Sequence, residues 1–375
     1  MGPARTASLC SAAAVVVAGA AALFTIGFAD WEPSILVRMS ESEPMAEVAR
    51  FHDPDFALVP GEGHFDGVYF YAIALDPFAR NQDIHTRIDR YQYRYGHPGF
   101  GWLSRMFSLG GIRTLPSSML VVALVGMGLA GWAVSWIAVD LGRSAWWGLT
   151  VAINPGLVLS VTLLTSEPVG VGLAAAGVLA WFRRRAVLGA ALMAAACLVK
   201  EPFAAVPIGL GAWEIVQMLR HRGEPGVGYR VALLVTSLVP LAWWYLYLRF
   251  HFGVFPFQEA PDLVGTPLAG WYESLRRAVD LSRTGGSQIG VVAVTAIVIG
   301  AAVILTGVAR AVRLRSPFDL MFLVLVVPAF FYSWLLLLYP KDLIRELVIL
   351  SVLVPAVVGS VSMKEDRSAS AQQEQ

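Results

Sequence analysis

Charged residues are scarce in this chain. They make up 15% of its 375 residues, whereas soluble domains average about 25%. Hydrophobic residues account for 57%, so the charges are too few to cover the surface of a soluble protein of this length. The formal net charge of +1 gives no sign of nucleic-acid binding. The composition therefore excludes an ordinary soluble protein and indicates a membrane protein.

Cysteine is nearly absent, and several catalytic motifs are missing. Cys10 and Cys197 both lie inside apolar runs, where they are interpreted as small hydrophobic residues, so a disulfide framework is excluded. The chain has no G-x-S-x-G, P-loop or C-x-x-C motif. These absences argue against serine-dependent proteolysis, ATP use and thiol chemistry.

Long apolar runs are what the chain does contain. A bilayer core needs about 20 apolar residues for each helix that crosses it, and about ten runs approach that length. Three of these runs, beginning at Val169, Val187 and Phe203, are short and leave merging or re-entrance open. The runs predict an all-α, polytopic membrane protein of about ten transmembrane helices; they cover residues 8–29, 117–139, 145–164, 169–181, 187–199, 203–218, 231–248, 289–312, 318–338 and 343–361.

Basic residues in the short connections predict the orientation. With the N-terminus in the cytoplasm, the cytoplasmic connections hold far more Lys and Arg than the outer ones, which is the bias of inner-membrane proteins. We therefore expect a multi-pass protein of the cytoplasmic membrane with both termini inside. Cleavage after Ala29 is left open, and either outcome places the next segment outside. The cytoplasmic connections contain Arg143, Arg183, Arg184, Arg185, Arg220, Arg222, Arg230, Arg310, Arg313 and Arg315; the outer ones contain Lys200, Lys341 and Arg345.

Two long polar segments interrupt the apolar runs, and both fall on the outer side in this orientation. Their Tyr, Phe, Trp and Pro content is typical of folded loops, and the first is expected to carry short amphipathic helices in the interface plane. The predicted organisation is an N-terminal transmembrane helix (1–30), a first outer loop with an acidic motif (31–116), helices two to seven (117–250), a second outer loop (251–287), helices eight to ten (288–361) and a disordered cytoplasmic tail (362–375).

The candidate site residues are ionisable groups beside the apolar runs on the outer side. Such residues at membrane depth are costly and are functional candidates by default. We expect a site assembled from several outer turns that are distant in the chain. Its members are Asp66 and Asp76 in GEGHFDGVYFYAIALDPF, Arg90, Arg94 and His97 in RIDRYQYRYGHPGF, Glu167 in TSEP, Lys200 and Glu201 in LVKEP, and Lys341 and Arg345 in YPKDLIRE.

Simpler interpretations of these residues stay open. Asp66 also suits a turn or helix cap, Lys200 with Glu201 suits an interfacial ion pair, and Arg94 suits either phosphate binding or solvation. No cofactor is predicted. A divalent metal is left open as a weak alternative, because imidazole and carboxylate groups suit it but their spacing matches no strong pattern. The groups concerned are His64, Asp66, His85 and Asp89.

The segments FDGVYFYAIALDPF and IDRYQYRYGHPGFGWLS, followed by NPGLVLSVTLLTSEP and LVKEP, suggest a family. Together they resemble the uncharacterised bacterial branch of the GT-C superfamily, integral-membrane glycosyltransferases that use polyprenyl-phosphate sugars. The resemblance covers about residues 8–215. Val68 replaces the family's Gln, and the stretch from Tyr95 to Pro98 departs from its Arg-Ile-x-Tyr-Pro pattern.

The resemblance implies a function and roles. The chain would move a sugar from a polyprenyl-phosphate donor to a glycan, lipid or protein acceptor of the cell envelope, with inversion at the anomeric carbon. Asp66 would be the general base, and the other candidate residues would bind substrate, with Arg94, Lys200, Lys341 and Arg345 facing the departing phosphate. A transporter or flippase for a lipid-linked substrate, and a non-catalytic assembly subunit, remain as alternatives. A transporter would favour broken helices and charges in the middle of spans.

Overall fold

The computed structural model describes residues 1–61, 65–220, 226–284 and 288–359. Within these ranges the chain is all-helical, and its only strand-type pairings are two isolated bridges. The predicted tail, 362–375, lies outside the described residues. The α-helices in chain order are α1 (Pro3–Gly27), α2 (Pro44–His52), α3 (Gly67–Leu75), α4 (Gln82–His85), α5 (Tyr91–Arg94), α6 (Gly99–Phe107), α7 (Leu115–Asp140), α8 (Leu149–Ala152), α9 (Pro155–Thr162), α10 (Glu167–Phe182), α11 (Ala186–Val199), α12 (Ala205–Arg220), α13 (Val227–Thr236), α14 (Val239–Phe252), α15 (Ala269–Thr284), α16 (Gln288–Ala311), α17 (Pro317–Phe330), α18 (Trp334–Leu337), α19 (Pro340–Glu346) and α20 (Val348–Gly359).

Several of these helices are long and apolar enough to cross a bilayer. Five stretches pass by length and hydropathy, and a sixth passes if Ala145–Ala152, which ends with α8, and α9 form one span despite a bend of 49° between them. Three further apolar helices, α10, α11 and α17, are shorter, at 10–17 residues. The predicted all-α, multi-pass membrane protein is confirmed at this level, and the count of ten spans stays a prediction. The five stretches are Pro3–Gly27, Leu115–Asp140, Glu201–Arg220, Val227–Phe252 and Gln288–Ala311.

The chain forms two compact units. Unit 1 comprises Met1–Phe203 and Val239–Ala260, and unit 2 comprises Ala204–Leu238 and the described residues from Pro261 onward. In unit 1, α1 packs along α7 through small side chains four residues apart, because Cys10, Ala14, Ala18 and Ala22 are all fully buried. Small residues at such spacing let two helix backbones approach closely, as in membrane helix pairs.

The segment between α1 and α7 differs from the expected layer of amphipathic helices. The helix α3 has the sequence GVYFYAIAL, and its residues from Gly67 to Ala74 are all buried. An element that is apolar on every side is stable only inside protein or membrane. By contrast, α2 and α6 each have a buried and an exposed face. The first polar segment therefore has a buried helix at its centre.

Aromatic side chains of α14 hold this segment in place within unit 1. Trp244 Nε1 donates to the carbonyl oxygen of Tyr95 at 2.7 Å, and Tyr247 Oη donates to that of Phe78 at 2.7 Å. The ring of Tyr247 stacks on those of Trp244 and His251. The polar atoms of Trp244 and Tyr247 thus form hydrogen bonds with backbone carbonyl groups in irregular parts of the chain. Such groups destabilise a protein when they are buried without a hydrogen-bond partner.

Unit 2 is built from α12, α13 and α15 to α20 together with the turns between them. The helix α12 packs on α17, and α15 packs on α16. The buried face of α16 repeats every three or four residues, with Gly290, Ala293, Ile297, Gly300 and Ile304 as its first members. This period matches one face of an α-helix, so α16 presents one stripe to protein and the remaining surface to its surroundings.

Candidate functional site

Asp66 forms an ion pair with Arg94 instead of capping a helix. It directly precedes α3, and its side chain makes no capping hydrogen bond to that helix. Arg94 Nη1 lies 3.3 Å from Asp66 Oδ1, and Arg94 Nε lies 3.3 Å from Asp89 Oδ1. The guanidinium of Arg94 also lies 3.7 Å from the centre of the Tyr69 ring. Arg94 is thus shared by two carboxylates and one aromatic face.

The charge of Arg94 follows from these contacts. Burial alone would lower the pKa of its guanidinium, but the carboxylate of Asp66, with smaller contributions from Tyr69 and Asp89, raises the pKa above its ordinary value. Burial also raises the pKa of Tyr69, so that phenol stays neutral. Arg94 is therefore a permanent cation whose charge is balanced within the cluster, and Asp66 keeps a side chain that is 35% exposed.

His97 and Glu201 form a second close pair. Nε2 of His97 lies 2.5 Å from Oε2 of Glu201, and the His97 side chain is only 7% exposed. The ring of Tyr93 meets the imidazole edge to face at 5.1 Å between centroids. Arg94 and His97 are three residues apart, and the backbone N–H of His97 donates to the carbonyl oxygen of Arg94. The two charged pairs are therefore one turn apart along the chain.

Glu167 and Lys200 form a third pair, and this one is buried. Lys200 Nζ donates to Glu167 Oε1 at 3.1 Å, and the two side chains are 14% and 3% exposed. Glu167 begins α10, and Lys200 follows the last residue of α11. Lys200 is also the chain neighbour of Glu201, which joins this pair to the His97 pair. Burial of charge is tolerated when the charges are paired in this way.

Two glycines explain why these chain-distant groups meet. A Cβ on Gly67 would lie 2.7 Å from the carbonyl oxygens of both Val37 and Leu163. A Cβ on Gly99 would lie 2.8 Å from the backbone nitrogen of Val199. Side chains at either position would push the backbones apart. Gly67 therefore sets Asp66 close to the turn that leads to Glu167, and Gly99 sets His97 close to Lys200 and Glu201.

The Glu167–Lys200 pair lies at the depth of the middle of α7. The helices α7 and α10 run in parallel, because Arg183 at the end of α10 pairs with Asp140 at 3.0 Å and a Cβ on Gly126 would lie 2.7 Å from the carbonyl of Pro168. Gly126 is near the midpoint of the 26-residue helix α7 and about 16 Å along its axis from Leu115. The Glu167–Lys200 pair is therefore level with the middle of a helix long enough to cross a bilayer.

Four of the predicted site residues do not belong to these three pairs. Asp76 is buried and accepts from the backbone N–H groups of Arg80 and Asn81 at 2.9 and 2.8 Å, so it stabilises the turn after α3. Arg90 lies exposed before α5. Lys341 and Arg345 belong to unit 2, where both lie close to Asp342, at 2.9 and 3.6 Å. The cluster in unit 1 thus contains Asp66, Arg94, His97, Glu167, Lys200 and Glu201 of the predicted set.

Sequence reasoning missed the aromatic part of the cluster. Tyr69 and Tyr93 both contact Arg94, and Tyr93 also contacts His97. The alternation of Tyr with Arg in YQYRYG was a signal for Tyr93 only. Asp89 entered the predictions only as a metal ligand, yet it contacts Arg94. Among the residues that the structure describes, no group of three or more His, Cys, Asp or Glu side chains is placed to hold a metal ion. His64 lies outside the described residues.

The cluster can transfer protons and stabilise anions, because it combines partly exposed and buried carboxylates with two cations and an imidazole. Comparison of the chain with protein-family models, with curated proteins and with solved structures finds no match.

Proposed function

We propose that the chain is a membrane glycosyltransferase of the GT-C type, which transfers a sugar from a polyprenyl-phosphate donor to a glycan, lipid or protein acceptor of the cell envelope. The observation that carries the proposal is the Asp66 carboxylate, which makes no capping bond, keeps partial exposure and lies beside the cationic Arg94. A carboxylate so placed is suited to general-base work.

The proposed reaction is a single inverting displacement. The acceptor hydroxyl oxygen forms a bond to the anomeric carbon while the bond from that carbon to the phosphate oxygen breaks. Asp66 takes the hydroxyl proton, and the lipid phosphate leaves with the electron pair and needs no acid. Arg94 orients the carboxylate through the contact at 3.3 Å. Arg94 and Lys200, the two cations of the cluster, are assigned to stabilise the charge that develops on the departing phosphate.

We also propose the finer topology. The six candidate spans, the three shorter apolar helices and α20 together make ten crossings, which is the number of apolar runs in the sequence. The excess of Arg in alternate connections supports cytoplasmic termini in the inner membrane. In this arrangement the Asp66 cluster opens to the outer side, where lipid-linked sugars are available and nucleotide sugars are not.

A second candidate function, a transporter or flippase for a lipid-linked substrate, has its own support. The helices α8 and α9 are bent by 49° around Ile153 and Asn154, and the Glu167–Lys200 pair is level with the middle of α7. Broken helices and charges at mid-depth are features of secondary transporters. The partly exposed Asp66 beside Arg94 supports the transferase, because an inverting transfer requires a carboxylate that the acceptor hydroxyl can reach.

One assay separates the two functions. Purified protein in liposomes is supplied with a radiolabelled polyprenyl-phosphate sugar and a crude envelope acceptor, and both the glycosidic product and the lipid exposed on the opposite leaflet are measured. Transfer of label to the acceptor without translocation supports the transferase. Translocation without product contradicts it and supports the flippase.

A further inference from the structure

The turn between α6 and α7 exposes large apolar side chains. Met106, Phe107 and Leu109 are 72%, 57% and 94% exposed, and Leu109 is the most exposed large hydrophobic residue in the described part of the chain. Phe51, at the end of α2, is 83% exposed and is tied to this turn, because Arg113 Nε donates to the carbonyl oxygen of the adjacent His52. These four residues are called the apolar tip.

The backbone of the tip adopts an unusual conformation at Leu109. Leu109 has a φ of 50° and Gly110 a φ of 87°, both in the left-handed region. A leucine rarely adopts that conformation, because its Cβ then crowds the backbone. The chain thus places a branched apolar side chain outward in a disfavoured conformation. In water this arrangement would have neither hydrophobic burial nor backbone preference to stabilise it.

The position of the tip identifies what covers it. The helix α7 is a candidate membrane span that begins at Leu115, six residues after Leu109. The helices α1 and α7 run antiparallel, because a Cβ on Gly131 would lie 3.1 Å from the carbonyl oxygen of Cys10 and a Cβ on Gly19 would lie 3.8 Å from Leu124. The C-terminal end of α1 is therefore at the Leu115 end of α7, and just beyond it Phe28 and Trp31 are 78% and 69% exposed. Aromatic residues at this level are typical of the membrane interface. The tip therefore continues the lipid-facing surface of α1 and α7.

Charge near the tip agrees with a lipid headgroup layer. Arg113 is exposed between Leu109 and the start of α7. Apolar side chains flanked by Arg are the pattern of segments that dip into the acyl boundary while their cations reach headgroup phosphates.

We infer that the apolar tip is a membrane-docking surface, whose partner is the lipid leaflet at the Leu115 end of α7. Phe51, Phe107 and Leu109 insert among the acyl chains, and Arg113 lies at the phosphates. Docking holds the segment that contains Asp66 against the bilayer from its free side, while α14 holds it from within unit 1. This inference does not depend on the proposed transferase activity.

Fluorescence quenching in nanodiscs tests the inference without any substrate, since nanodiscs expose both faces of the membrane to water. Cys10 and Cys197 are replaced by Ala, and single cysteines are labelled with bimane. The test positions are Phe107→Cys and Leu109→Cys. The aqueous control is Glu41→Cys, whose native side chain is 68% exposed, and the lipid control is Val125→Cys on α7, whose native side chain is 58% exposed.

Lipids brominated near the headgroup end of the acyl chain should quench positions 107 and 109 at least about twofold more than position 41, and aqueous iodide should show the opposite order. Position 125 should be quenched by lipid brominated deeper in the chain. Iodide quenching at 109 equal to that at 41 would overturn the inference, because the tip would then be in water. Protection from both quenchers would also overturn it, because a protein partner or second copy would then cover the tip.

Discussion

At the scale of single residues, the charges of Arg94 and Lys200 are compensated in two different ways. Arg94 is positioned by two carboxylates and by the ring of Tyr69, whereas Lys200 has Glu167 in a nearly dry setting. These two settings predict different responses to mutation. The contacts of Arg94 with Asp66 and Asp89 can lose one carboxylate while the fold is kept, because both carboxylates are partly exposed to water. The Glu167–Lys200 pair cannot.

Removal of one charge from the buried pair should therefore destabilise the protein. Glu167→Gln leaves Lys200 buried beside a neutral amide, and we expect a loss of about 3 kcal/mol in the free energy of unfolding. The double variant Glu167→Gln/Lys200→Met should recover most of that loss, because no buried charge remains. Thermal unfolding in detergent measures both. As a control, Arg183→Gln breaks a more exposed pair with Asp140 and should cost less than about 1 kcal/mol. Equal losses for Glu167→Gln and Arg183→Gln would contradict the buried-pair account.

His85 predicts a pH dependence of stability. Burial lowers the pKa of its imidazole in the folded chain below the ordinary 6.5, against the opposing effect of Asp76 and with a smaller contribution from His251. In the acidic range the unfolded chain then binds more protons than the folded chain. The stabilisation is present above pH 6.5 and is lost as the pH falls below it.

The unfolding temperature should accordingly fall between pH 7.5 and about pH 5, and part of that fall should disappear in His85→Gln. The variant keeps His251 and Asp76, so the difference between the two pH profiles reports His85 alone. Parallel profiles for the wild type and His85→Gln would refute this role.

At the scale of elements, close backbone approaches bring the site together. Gly67→Ala places a methyl group 2.7 Å from two carbonyl oxygens of neighbouring segments, which are backbone atoms and cannot rotate away. We expect a loss of about 2 kcal/mol in stability and a larger loss of activity, because α3 and Asp66 move together. Thermal unfolding and the transfer assay measure the two effects.

Gly228→Ala is the matched control. Gly228 is in the first turn of α13, and a Cβ there would meet nothing within 4 Å. Alanine in a helix is intrinsically better than glycine, so this variant should be neutral or slightly more stable. Destabilisation at position 228 equal to that at position 67 would mean that close approach is not the cause.

Hydropathy predicted the longest helices closely. The runs 8–29, 117–139 and 289–312 correspond to α1, α7 and α16 with shifts of at most five residues at either end. These helices are continuous, and burial along one small-residue face needs no polar interruption. Average hydropathy over such a run is therefore enough to locate them.

Breaks inside apolar runs escaped prediction, since an average does not detect them. The run 145–164 is divided at Ile153 and Asn154, where Asn154 accepts from the N–H groups of Gly156 and Leu157 and starts α9. The run 343–361 is divided at Leu347. The buried character of α3 was equally hidden, because its nine residues are too few for a span and its Tyr side chains suggested an interface.

The candidate site was predictable in its charges and not in their pairing. Asp66, Lys200 and Glu167 stand out in the sequence as ionisable groups beside apolar runs. Pairing depends on approaches such as that of Gly99 to Val199, which link residues about one hundred positions apart and leave no local pattern. Asp76 has the same sequence signature as Asp66, yet it binds backbone N–H groups of its own turn.

At the scale of the whole molecule, the proposed topology predicts which residues are accessible from each side of the membrane. Cysteines at positions 41 and 258 should react with an impermeant maleimide in intact cells, and cysteines at positions 184 and 313 should react only after permeabilisation. All four native residues lie in connections outside the candidate spans. Labelling of position 184 or 313 from outside would reverse the orientation and remove the site from the face where lipid-linked donors are available.

The central claim is that Asp66 takes the acceptor proton, and the transfer rate of Asp66→Asn tests it most directly. Asparagine keeps the shape of the side chain and removes its basicity, so transfer from a radiolabelled polyprenyl-phosphate sugar should fall by about two decades or more. Binding of the donor and the unfolding temperature should change little. Glu47→Asn, an exposed carboxylate exchange on α2, should leave transfer unchanged. Transfer by Asp66→Asn at a rate near that of the wild type would contradict the account.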